Sequence, residues 1–65
     1  MQRTIGDWIV RTGEVDTGAI VTRVSYRGRV VRSRVSASAL EAIETHGYQV
    51  RLVEQIVESA CMEAA

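Results

Sequence analysis

Apolar and polar residues alternate on both sides of Arg27-Gly28, and this alternation constrains the fold more than any other feature of the chain. Residues 19–36 read as a β-hairpin, because glycine in a two-residue loop readily supplies the positive φ that such turns need. With that loop, Tyr26 faces Arg29, Val24 faces Val31, Thr22 faces Ser33 and Ile20 faces Val35. One sheet face then carries Ile20, Val24, Tyr26, Val31 and Val35. The other carries Val21, Arg23, Ser25, Val30, Arg32 and Arg34. A slip of one residue would move Arg32 to the apolar face, so the pattern itself predicts the register.

The flanking segments extend this reading. Trp8-Ile9-Val10-Arg11-Thr12 has the composition of a short strand, and residues 13–18 have that of a loop. Ser36 or Ser38 can cap a helix, and Ser38-x-x-Glu41 matches a capping box. Ala39, Leu40 and Ile43 follow as an apolar stripe, and Gly47 is placed to end the helix in the left-handed conformation, with Tyr48 as its apolar contact. From Tyr48 two patterns compete. Tyr48, Val50 and Leu52 alternate like a strand, whereas Leu52, Val53, Ile56, Val57, Ala60 and Cys61 recur at helical spacing. The helical pattern is longer. The expected architecture is a single α+β domain over residues 1–65: a three-stranded antiparallel meander, then one or two C-terminal helices on its apolar face.

A 65-residue chain is close to the lower limit for burying a self-sufficient core. Cys61 is the only cysteine, so no intrachain disulfide or cysteine-based zinc site can form, and His46 is the only histidine. No metal or cofactor is implied. Oligomerisation is then a natural source of stability, and the band Leu52, Val53, Ile56, Val57 and Ala60 is the expected self-association surface. No apolar run approaches the roughly 20 residues needed to cross a bilayer, and the first residues lack a signal-peptide core. A cytoplasmic location is expected. All eight basic residues are arginine, and lysine, asparagine and phenylalanine are absent, as in a GC-rich bacterium or its phages.

The net charge of +0 conceals a division. Residues 17–40 hold five arginines and no acid; residues 41–65 hold five acids and Arg51. Arg23, Arg27, Arg29, Arg32 and Arg34 form the candidate partner-binding set, since guanidinium groups hold carboxylates or phosphates bidentately. The chain's pI of about 6.6 is well below that of a typical nucleic-acid-binding domain. An acidic protein surface is therefore the expected partner, and nucleic acid bound by the arginine hairpin is the alternative.

Catalytic signals are sparse. Glu44, the acid nearest His46 in sequence, is off its helical face. Cys61 lies on an apolar stripe, and no serine sits in a nucleophile-elbow pattern. Val15-Asp16-Thr17-Gly18-Ala19, followed by Gly28-Arg29, resembles the Asp-Thr-Gly-Ala signature of retroviral-type aspartic proteases. That resemblance implies a homodimer in which two copies of Asp16 share a proton. The chain departs from the family in its shorter length, in Gly13-Glu14 where apolar residues precede the loop, and in the close spacing of Gly18 and Gly28. Asp-Thr-Gly is also ordinary turn chemistry. The expectation is a small, non-enzymatic protein-interaction module of the bacterial or phage accessory or inhibitor type. It would self-associate and dock through the arginine-rich hairpin, the acidic helix surface, or both.

Overall fold

The computed structural model describes residues 1–64, with side chains described through Ala60. Four strands form an antiparallel meander in the order β1 (Gln2–Ile5), β2 (Trp8–Glu14), β3 (Ile20–Tyr26), β4 (Arg29–Ser36). One long helix, α1 (Ala39–Ala64), crosses one face of that sheet. The α+β meander with a C-terminal helix is as expected, but it has four strands rather than three. β1 was overlooked. Its signal is Gly6-Asp7 between Ile5 and Trp8, where Gly6 takes φ +57° and lets Ile5 pair with Trp8.

The helix is continuous through Gly47 and Tyr48, so neither a helix stop nor a strand forms there. Glycine costs a helix interior about 1 kcal/mol relative to alanine. Docking on both sides of it outweighs that penalty: Ala42 and Gln49 are buried on one turn or the next, and Val53 is only 2% exposed. The start matches the capping box. Ser38 Oγ accepts from the Glu41 amide at 3.2 Å, while Glu41 Oε2 accepts from the Ala37 amide at 3.3 Å. The glutamate thus reaches back one residue further than in the standard box.

The core has two halves of different chemistry. Val10, Val24 and Val53 form its apolar half, with Ile5, Trp8, Val50 and Val57 packed around them. Nearer the start of α1 the interface is polar. Thr12, Thr22 and Gln49 are buried there beside Ala42, and Thr12 Oγ1 lies 2.8 Å from both Thr22 Oγ1 and His46 Nδ1. His46 is therefore part of the sheet–helix interface, inside the helix rather than at its end. Leu40 and Ile43, expected to face the sheet, are 67% and 57% exposed. The inward stripe at this end is Ala42, His46 and Gln49, because the sheet beneath presents hydroxyls.

The hairpin turn is as expected: Arg27 (φ +50°) and Gly28 (φ +82°) both lie in the left-handed region, and Tyr26 pairs with Arg29. Beyond it the register differs. A bulge between the Val24 and Ser25 pairs places Val24 opposite Arg32, Thr22 opposite Arg34, and Arg23 opposite Ser33. Val31 is the extra residue. The regular register would have set Arg23 against Arg32, a like-charge pair that destabilises a sheet. The bulge separates them. Its consequence is the inversion of the remainder of β4: Arg32 and Arg34 fall on the helix side, and Val35 pairs with Val21 on the outer face.

Candidate protein-docking edge

The expected single arginine face is divided among three surfaces. Arg23 lies on the outer face directly opposite Arg11, a like-charge pair that the sheet tolerates where both heads reach water; Arg11 Nε donates to Gln2 Oε1 at 2.9 Å. Arg27 sits at the turn, where Nε is 3.2 Å from Asp7 Oδ2 and Cζ is 5.2 Å from the Tyr26 ring centroid. The hydrogen bond to Asp7, more than any other influence, raises the Arg27 pKa. Asp7 reaches Arg27 because the β1–β2 and β3–β4 turns meet at the same end of the sheet, where the Arg27 amide also donates to the Asp7 carbonyl at 3.0 Å. That partnership depends on the β1–β2 turn, which the sequence pattern of the hairpin alone does not contain.

Arg29, Arg32 and Arg34 share the free edge. On the helix side, the rows Trp8–Tyr26, Val10–Val24 and Thr12–Thr22 are continued by Arg29, Arg32 and Arg34 respectively. Each row that is aromatic, aliphatic or hydroxylic inside the sheet therefore ends in a guanidinium at its rim. This is an economical use of arginine, whose aliphatic stem can lie on apolar surface while its head remains in water. On the outer face the corresponding rows end in Val30, Ser33 and Val35. All of β4 except Ser36 is exposed.

Two grooves separate this edge from α1. The larger, about 750 Å³, is floored by Trp8, Val24 and Val53 and walled by Val31 and Arg32 on one side and Leu52 and Ile56 on the other. No described acid lines it. The smaller brings Arg34 and Val35 toward Glu41, Glu44 and Tyr48. The helix acids thus partly offset the field of Arg34. Even so, the Arg27–Asp7 contact is the only ion pair among the described residues.

The expected self-association band is also divided. Val53 is buried and Val57 packs on the core, whereas Leu52, Ile56 and Ala60 line the larger groove. The Cys61 side chain lies outside the described residues. Asp16 is exposed in the β2–β3 loop, which is closed by the Val15 amide donating to the Ala19 carbonyl at 2.9 Å. Among the described residues, no group of three His, Cys, Asp or Glu side chains is placed to hold a metal, and no helix is long and apolar enough to cross a membrane. Comparisons with protein-family models, curated proteins and solved structures find no match to this chain.

Proposed function

We propose that this chain is a small protein-interaction module that acts by binding rather than catalysis, docking through β4 and the groove beside it. The observation that carries this reading is the combination of a long unpaired edge strand with an adjoining groove floored by Trp8 and Val24. Edge strands are ordinarily short or covered because their free backbone groups invite pairing. β1, the other edge, is four residues long, whereas β4 has eight. Val31 and Ile56, on opposite walls of the groove, are each at least half exposed. A partner strand or loop would bury them together with the edge.

The dispersal of the arginines favours a protein over nucleic acid. A polyanion is held by many cations along one track, and here Arg11 and Arg23, Arg27, and the β4 arginines occupy separate surfaces. The test is site-specific photo-crosslinking in the cells that make the protein. A photoreactive amino acid in place of Val31 or Ile56 should give a discrete protein adduct, whereas the same group in place of exposed Glu54 should not. Absence of adducts at both groove positions, or equal labelling at all three, would overturn the proposal.

Self-association is a second reading, favoured by Leu40 and Ile43, two apolar side chains three residues apart and exposed on α1. It predicts a mass above that of the monomer in light scattering and a melting temperature that rises with concentration. Lysine at both positions should restore the monomer. A monomeric mass with a concentration-independent melting temperature removes it.

A further inference from the structure

We infer that the occupant of the β4 edge is an extended acidic segment of another protein, added to the sheet as a fifth strand with carboxylates opposite Arg32 and Arg34. This rests on the docking reading above and specifies the partner's chemistry. An added strand continues the rows of the sheet. On the helix side it meets Arg29, Arg32 and Arg34; on the outer face it meets Val30, Ser33 and Val35. Directly opposed side chains on a sheet interact most strongly, and opposite charges there are favourable. The edge therefore selects a strand whose residues alternate between carboxylate and β-branched or small apolar types. Backbone hydrogen bonds would provide affinity and the alternating side chains specificity, as in other cases of strand addition.

The same charges argue against a second copy at this edge. Two β4 strands paired antiparallel about a two-fold axis keep their helix-side faces together, so arginines of one protomer would oppose arginines of the other. Like charges directly opposed destabilise the pairing. Arg32 and Arg34 thus discourage self-pairing of a long edge and admit a strand of opposite charge. Glu41 and Glu44 face Arg34 across the smaller groove, whereas no described acid lines the groove that holds Arg32, so Arg32 should dominate recognition.

The test uses the whole chain and capped eight-residue peptides, matched to β4 in length. One peptide alternates glutamate with valine, a second replaces each glutamate with lysine, and a third is the acidic peptide N-methylated at every residue so that neither of its edges has a backbone N–H to donate. Binding is followed by backbone amide NMR and hydrogen exchange. The acidic peptide should shift and protect β4 amides, and the lysine and N-methylated peptides should not. Combined Arg32→Glu and Arg34→Glu substitution should weaken the acidic peptide by roughly tenfold or more and admit the lysine peptide. Arg32→Gln, which leaves no new charge, should weaken the acidic peptide alone. Equal binding of acidic and lysine peptides, retention of binding on N-methylation, or shifts centred on Arg11 and Arg23 would overturn the inference. Groove-specific crosslinks together with failure of the acidic peptide would refute strand addition and leave the docking reading standing. Loss of both would refute the two together.

Discussion

Thr12 Oγ1 stands 2.8 Å from Nδ1 of His46, joining β2 to α1 through a hydroxyl that is also 2.8 Å from Thr22 Oγ1. Thr12 and Thr22 are 5% and 1% exposed, so water cannot readily replace either partner. This chain of polar groups links the centre of the sheet to the first half of the helix, where valines would otherwise be expected. Buried polar groups of this kind are costly when one member is removed and less so when the set is removed together.

Thr12→Val keeps the side-chain shape and removes the shared hydroxyl. It should destabilise the fold by about 1–3 kcal/mol, because Thr22 and His46 are left unsatisfied. The double variant Thr12→Val with Thr22→Val should cost less than the sum of the two single changes. Urea denaturation of the four proteins gives the coupling directly. Additive losses would show that the hydroxyls act independently.

His46 should make stability depend on pH. Burial, with a smaller contribution from the amino-terminal charge, holds its pKa below the ordinary value of 6.5. The unfolded chain therefore takes up a proton at a higher pH than the folded one. Its contribution is complete above the unfolded pKa and is lost as pH falls through the folded pKa. Melting temperatures measured downward from neutral pH should decline in this window, and less so in His46→Gln. Identical profiles for the two proteins would exclude His46 as the source.

Gly47→Ala should stabilise the protein by about 0.5–1 kcal/mol, since alanine is the better helix former and restricts the unfolded chain. An added Cβ meets no atom within 4 Å, and the residue lies inside α1. Gly28→Ala should do the opposite, because φ is +82° there. Thermal melts of the two variants test both signs. A loss of stability at Gly47 would show that glycine is needed for something other than helix continuity.

Val24→Ala and Val35→Ala report the register of the hairpin. Val24 is 4% exposed in the apolar core and should cost about 1–3 kcal/mol on truncation. Val35, 69% exposed on the outer face, should change stability by less than about 0.5 kcal/mol. Comparable losses at both positions would indicate the regular register, with Val35 on the core face.

Local chemistry in the sequence determined the turn at Arg27-Gly28, the antiparallel pairing that follows from it, the location of β2, and the cap at Ser38 with Glu41. Each depends on residues within a few positions of one another, and turn geometry or a single capping bond settles the outcome. Gly6-Asp7 carried the same kind of signal for β1. Tertiary structure decided the rest. The bulge at Val31 sets Arg23 opposite Ser33 and leaves Arg32 and Arg34 on the helix side of a free edge; alternation within β4 contains neither fact. The helix runs through Gly47 because burial of Ala42 before it and Val53 after it outweighs a local penalty. The candidate edge was legible as a set of arginines but not as a surface. Side-chain facing has a period of two in a strand, so one inserted residue reassigns every position beyond it.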